Sequence, residues 1–274
     1  MSAFRKGYAD GPDGQVHFLD TGRGSGATTL VLLHQTPCHL GMFSAVYPLL
    51  AAAGIRAIGI DTPGYGQSAP TAETPTIDGY ASAVLAVLDH LAVPATIVLG
   101  HHTGASIAAE LAVKAPARVS RVILNGPPLF TAEERSAYLQ AIAAAPRPEL
   151  KADGSHLQAI WDRRAHFTPG WTNVAAMHKG VVMMLSVESR ERSGYSAAFS
   201  HDIGVPLQAI TQPGLILTNT GDDLYVAACR ARDRRPDFGF VALEGGTHDI
   251  VDEQPAAWAA AVVTYCSGSA AETA

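Results

Sequence analysis

Two adjacent histidines, His101 and His102, stand between glycines in the run Val98-Leu99-Gly100-His101-His102-Thr103-Gly104-Ala105. A neutral imidazole is both a nucleophile and a general base, and with a reference pKa of about 6.5 it is mostly neutral at pH 7. The run follows an apolar strand pattern, residues 96–99, and opens a helical one, residues 105–114. It fits the frame Gly-x-nucleophile-x-Gly, in which a sharp strand-to-helix turn exposes the central residue and small neighbours relieve the crowded backbone. That central residue usually takes φ > 0, and histidine is one of the few non-glycine residues enriched there. Further groups with chemistry lie after other apolar runs. They are His34-Gln35-Thr36-Pro37, the paired acids of Asn219-Thr220-Gly221-Asp222-Asp223, and His248 in Gly245-Gly246-Thr247-His248.

The elements that must position these groups alternate. Residues 4–8 and 15–21 read as a hairpin joined through Asp10-Gly11-Pro12-Asp13-Gly14. Continuous apolar runs at 29–33, 55–60 and 96–99 suit strands buried on both faces of a parallel sheet. Helical patterns fall at 43–53, 77–91 and 105–114, followed by a strand at 119–124. Such alternation predicts a doubly wound α/β fold with a mostly parallel sheet. The rhythm breaks after Asn125-Gly126-Pro127-Pro128. Residues 129–207 carry helical patterns without buried strands, at 132–145, 156–167 and 173–188, and read as an inserted helical cap. Strands return at 214–219 and 239–243, a helix at 256–265 closes the core, and the small polar tail 267–274 is expected to fray. The division is therefore a core of residues 1–128 and 208–274 with a cap of residues 129–207 inside one domain.

The Gly-His-His-Thr-Gly frame resembles the α/β-hydrolase superfamily, and the resemblance covers essentially the whole chain. His34-Gln35-Thr36-Pro37 is similar to that family's His-Gly-x-Pro oxyanion loop, with Gln35 where glycine is usual. Asp61-Thr62-Pro63-Gly64-Tyr65-Gly66-Gln67-Ser68 resembles its Asp-x-Pro-Gly-x-Gly-x-Ser turn, whose role is mostly structural. The segments ending in Asp222 and His248 resemble its acid and histidine loops, in the family's chain order of nucleophile, acid, histidine. The resemblance implies a triad of His102, Asp222 and His248, with His102 where Ser, Cys or Asp is usual. Asp222 would hold one nitrogen of His248, whose other nitrogen would face His102. Asp223 is the alternative acid; Asp222 is preferred because the family's acid follows the last small residue of that loop. The backbone N–H groups of Thr36 and Thr103 would form the oxyanion hole. His34, Gln35, His101 and Trp161 are the candidate substrate-binding residues.

Each assignment has a plainer reading. His248 could be a loop histidine, Asp222 a turn aspartate, and His102 a filler of the elbow. His101 is expected to pack, and Ser106 is a small residue that seats the helix on the sheet. A metal site of His101, His102, His248 and Asp222 is set aside, because adjacent histidines are expected to point apart and the family uses no metal. His156, Trp161, His166, Trp171, His178, Met183 and Met184 give the cap an aromatic and methionine-rich character that suits an apolar or aromatic small substrate.

The expected function is a cofactor-free hydrolase of a small carbonyl compound: an ester, a lactone, or a C–C bond beside a ketone. The rivals are a lyase, isomerase or cofactor-independent oxygenase using the histidines for proton transfer only, and a non-catalytic small-ligand binder. Composition narrows the partners. With 274 residues, 47% hydrophobic and 16% charged, the chain can build a large core. A net charge of −6 without a basic block argues against nucleic acid and anionic membranes. A small molecule is the expected partner, and a homo-oligomer is left open. The first residues show no apolar run of a signal peptide, and no segment reaches the ~18 apolar residues of a membrane span. Cys38, Cys229 and Cys266 are too few and too scattered for a disulfide framework, so a cytoplasmic setting is expected.

Overall fold

A computed structural model describes residues 4–22, 28–71, 74–145, 149–187 and 190–268. Its centre is an eight-stranded sheet in the order β1-β2-β4-β3-β5-β6-β7-β8. The strands are β1 (Arg5–Gly11), β2 (Gly14–Asp20), β3 (Thr29–Leu33), β4 (Arg56–Ile60), β5 (Thr96–His101), β6 (Val119–Asn125), β7 (Gly214–Asn219) and β8 (Gly239–Leu243). β1 and β2 form the expected antiparallel hairpin, and β2 joins β4 antiparallel. Every pairing from β4 to β8 is parallel.

The apolar runs become central strands because both faces of the sheet are covered. In β3, Leu30 and Leu32 face one core cluster, while Val31 and Leu33 face the other. This is the two-residue period of a strand buried twice. α2 (Ile77–His90), α3 (Thr103–Lys114) and α9 (Tyr225–Arg234) supply one cluster, through Tyr80, Ile107 and Ala228 among others. α1 (Tyr47–Ala52) and α11 (Pro255–Cys266) supply the other, through Tyr47, Leu50 and the fully buried Trp258.

Several boundaries differ from the sequence pattern. The helix expected over 43–53 divides into a 3-10 turn, Leu40–Phe43, and the short α1. Pro48 lies in the first turn of α1, where its missing N–H costs nothing, and this fixes where the helix can begin. α3 begins at Thr103 rather than 105, directly behind the elbow. The polar helix α9 was hidden because its exposed face is charged and carries little apolar periodicity.

Between β6 and β7 the chain forms five helices and no strand among the described residues: α4 (Ala132–Ala144), α5 (Ser155–Phe167), α6 (Val174–Val187), α7 (Arg190–Ser200) and α8 (Gly204–Ala209). The first three match the expected positions; α7 and α8 carry Gly194 and Pro206 and gave no helical signal. The expected end of the third cap helix at Glu188, and the tail from residue 269, lie outside the described residues. Short α10 (Ile250–Glu253) follows the loop after β8. No described helix is long and apolar enough to cross a membrane.

Candidate active site

The elbow is built by close backbone approach. A Cβ on Gly100 would collide with the backbone of Gly104, and one on Gly104 with the carbonyl of Leu33 at the end of β3. Only hydrogen fits at either place, so the two glycines let α3 turn back directly over β5. His102 sits at the bend with φ 51° and ψ −108°, one of two non-glycine residues with positive φ among the described residues. This matches the strained geometry expected of the central residue. Its N–H donates to the carbonyl of Asn125 at 2.9 Å, and its own carbonyl accepts from Ala105 at 2.8 Å. The backbone is thus held from both sides, and the side chain is 13% exposed.

The pairing of the candidate triad differs from expectation. Asp222 Oδ2 lies 2.9 Å from Nε2 of His102, not from His248, and the Asp222 side chain is completely buried. Asp222 Oδ1 accepts the N–H of Leu224 at 2.8 Å, which fixes the carboxylate after β7. Burial opposes its ionisation, yet the neighbouring imidazole of His102, with help from His101 and the Leu224 N–H, holds the carboxyl well below the usual carboxylate range. Room for the contact comes from Gly126, at the end of β6 with φ +55°. A Cβ there would stand 2.6 Å from His102 Cδ2 and 3.0 Å from Asp222 Oδ2. Asp223 is 63% exposed, and its carboxylate lies 3.9 Å from Nδ1 of His248.

His248 is engaged from the other side. Arg164 of α5 donates to its Nε2 at 2.9 Å, and Asp249 Oδ2 lies 3.3 Å from the same nitrogen. Arg164 also forms a 2.5 Å ion pair with Asp249, and both side chains are more than nine-tenths buried. Gly180 of α6 makes space, since a Cβ there would lie 2.8 Å from the guanidinium. Burial pushes the His248 imidazole below its ordinary value, Asp249 opposes the shift, and the Arg164 cation adds to it. The expected pairing is corrected on two counts: the space left by Gly126 lets the His102 ring reach Asp222 directly, and Nε2 of His248, the nitrogen expected to face His102, is taken by the Arg164 guanidinium. Neither Arg164 nor Asp249 was a candidate from sequence. Asp249 adjoins a candidate histidine, but Arg164 is one of two adjacent arginines on a helix, and which of them turns inward becomes visible only in three dimensions.

The other candidates divide. Thr36 and Thr103 are brought together: the Thr36 N–H lies 3.4 Å from Thr103 Oγ1. Thr103 opens α3, where a backbone N–H has no acceptor within the helix. The loop holding Thr36 is covered by α7, for a Cβ on Gly194 would meet the Tyr65 hydroxyl and lie 3.1 Å from Thr36 Oγ1. His34 is buried and engaged at both ring nitrogens. Its Nε2 accepts from the Thr62 N–H at 3.0 Å and its Nδ1 lies 2.9 Å from the Gln35 carbonyl, so it ties two loops together inside the core. Burial lowers its pKa to about 4. Gln35, which departs from the family's glycine, is also buried, with its amide 3.8 Å from the sulfur of Cys38. Trp161 lies half-buried on α5, one turn before Arg164.

His101 is wholly buried as expected of a packing residue, but neither of its ring nitrogens has a hydrogen-bond partner among the described residues. Its ring lies over that of His102, centroids 4.2 Å apart and planes 34° from parallel. The expectation that adjacent histidines point apart is therefore corrected. The bend at His102 rotates the two side chains onto the same side. Burial first, then the nearby His102, keeps His101 well below the ordinary imidazole pKa.

A family model described as the alpha/beta hydrolase fold matches residues 28–175. Among curated proteins, the chain is 36% identical over 129 residues to the dihydrolipoyllysine-residue acetyltransferase component of the acetoin cleaving system of Pseudomonas putida, covering 47% of this chain and 35% of that one. It is 36% identical over 118 residues to a 2-hydroxy-6-oxononadienedioate/2-hydroxy-6-oxononatrienedioate hydrolase of Pseudomonas putida, covering 42% of this chain and 41% of that one. The chain thus spans well under half the length of these relatives. Among solved structures, an epoxide hydrolase from an endophytic Streptomyces superposes with a TM-score of 0.81 at 22% identity, covering 98% of this chain and 96% of that one. The enol-lactonase from Burkholderia xenovorans LB400 superposes with a TM-score of 0.73 at 20% identity, covering 95% and 100%. Its elbow, its sheet order and the family match together place the chain in the α/β-hydrolase-fold family.

Proposed function

We propose that the chain is a cofactor-free hydrolase of small carbonyl compounds, in which His102, oriented by Asp222, is the general base. The observation that carries this reading is the 2.9 Å contact between the buried Asp222 carboxylate and Nε2 of an imidazole presented on the elbow. A carboxylate on one ring nitrogen fixes the tautomer, with the proton on Nε2 and the lone pair on Nδ1, and stabilises the imidazolium formed when Nδ1 takes a proton. In the proposed reaction, Nδ1 removes a proton from water, and the resulting hydroxide adds to the substrate carbonyl. The charge on the carbonyl oxygen is received by the backbone N–H of Thr103 and by that of Thr36, which must give up its long 3.4 Å bond to Thr103 Oγ1 to do so. Collapse expels the leaving group, which takes the proton back from His102. An ester, a lactone or a C–C bond beside a ketone fits this sequence, because each leaves a group that the imidazolium can protonate.

Names among the similar proteins support the breadth of this class, with an enol-lactonase and a hydrolase of an oxo-diacid among them. Residues 129–207 act in this reading as a cap that sets substrate choice, since α5 reaches His248 and α7 lies against Thr36. Residues 1–128 and 208–274 form the core beneath it. A panel of aryl esters, lactones and vinylogous 1,5-diketones, assayed with the full chain in a chelating buffer, tests the proposal. Turnover of at least one class is expected, and failure on every class would favour a lyase or a ligand binder.

A further inference from the structure

We propose that His101, His102 and Asp222 form a binding site for a divalent first-row transition-metal ion. One nitrogen of each histidine and one carboxylate oxygen lie within 4.8 Å of one another. The three groups come from the end of β5, the elbow and the loop after β7, and all meet beneath the elbow. His101 carries the argument. It is fully buried, and both of its nitrogens lack a hydrogen-bond partner among the described residues. Leaving an imidazole in that state is costly, because a buried polar group loses its water and gains nothing in return. The neighbouring His102 ring lies over His101 rather than edge-on to it, so it does not pair with these nitrogens. A cation would take one lone pair from each of the three groups at once, including the lone pair of His101 that meets no donor among the described residues.

The donor set also selects the kind of ion. Two imidazoles and one carboxylate suit zinc or iron(II) better than magnesium or calcium, which prefer oxygen. Metal–ligand bonds of about 2.0–2.2 Å place neighbouring donors roughly 3 Å apart. The His102–Asp222 pair already stands at 2.9 Å, so the closure required is of His101 toward it. The stacked rings, 4.2 Å apart at their centroids, make that a tilt rather than a rebuilding of the elbow. The ion would reach the site past His102, whose side chain is 13% exposed. A metal on Nε2 of His102 replaces the hydrogen bond to Asp222. Metal binding and the proton-transfer role are therefore alternative states of the same pair, and each is tested without the other.

The experiment is a titration of the full chain, stripped with chelator and desalted, with cobalt(II) and then zinc(II). Uptake of one cobalt(II) per chain is expected, with ligand-field absorption in the visible and displacement by zinc(II). Loss of a group that merely hydrogen-bonds a metal ligand already weakens metal sites by about 10–100-fold, so His101→Gln and Asp222→Asn should each weaken binding at least roughly tenfold. His248→Ala, which removes a histidine outside the trio, should weaken affinity by less than about tenfold. Circular dichroism reports folding of each variant; if His101→Gln is unfolded, Asp222→Asn decides alone. Failure to bind either ion stoichiometrically, or binding that Asp222→Asn leaves unchanged, overturns the proposal. Hydrolysis by the chelated protein is read separately, so loss of one proposal is distinguishable from loss of the other.

Discussion

Gly126→Ala is the substitution that most narrowly tests whether the His102–Asp222 contact matters. Gly126 has φ +55°, and an added Cβ would lie 2.6 Å from His102 Cδ2, 2.7 Å from Nε2 and 3.0 Å from Asp222 Oδ2. Ordinary carbon contacts fall at about 3.5–4.0 Å, so the imidazole must retreat by roughly 1 Å. Displacement on that scale costs about 100-fold in rate when the group acts in the reaction. The left-handed backbone adds about 1–2 kcal/mol against the folded state, or a melting temperature lower by a few degrees at about 2–4 °C per kcal/mol. The variant should therefore fold with a modest loss of stability and lose about 100-fold in kcat/KM. The assay pairs thermal unfolding with steady-state hydrolysis of whichever ester or lactone the wild type turns over. A variant that keeps wild-type kcat/KM while showing the expected drop in melting temperature would refute the reasoning, because the imidazole would have moved without consequence.

Two further perturbations follow from the same structure. His34 is buried with a pKa lowered to about 4, below the unfolded value of 6.5. Between these values the unfolded chain binds a proton that the folded chain refuses, so stability is fully present above pH 6.5 and falls as pH drops toward 4. The loss is about 3 kcal/mol from this one group, and urea unfolding from pH 7.5 to 4.5 should show a shallower decline for His34→Asn than for wild type. An equal slope in both would remove His34 as a source of acid sensitivity. Arg164→Met strands the buried Asp249 carboxylate, which should cost about 3–5 kcal/mol. Adding Asp249→Asn should recover part of that loss in thermal unfolding, and no recovery would mean that the ion pair is not what holds α5 to His248.

Much of this arrangement was legible in sequence because it is local. Gly100 and Gly104 are needed where two backbones touch, and a histidine between them at positive φ is a one-turn pattern. The strand runs at 29–33 and 96–99 were readable because a strand covered on both faces has no polar side to disguise it. The preference for Asp222 over Asp223 rests on its place directly after Gly221, and in the structure Asp222 is the buried one of the two, in contact with His102, while Asp223 is exposed. Which imidazole Asp222 holds was not readable. It involves contacts far apart in sequence: His102 with Asp222, 120 residues apart, and Arg164 with His248, 84 apart. Nor was the shared direction of His101 and His102, because it follows from the ψ of −108° at the bend and not from their order in the chain. The partners of His34 were hidden for a related reason. Its type suggests chemistry, but both nitrogens are spent on Thr62 and Gln35.

The most direct measurement of the central claim is kcat/KM for ester or lactone hydrolysis by His102→Ala in chelating buffer, beside wild type. A positioned general base contributes about 10²–10⁴-fold. The account predicts a loss of at least about 100-fold with the fold intact, and a rate within about threefold of wild type would contradict it.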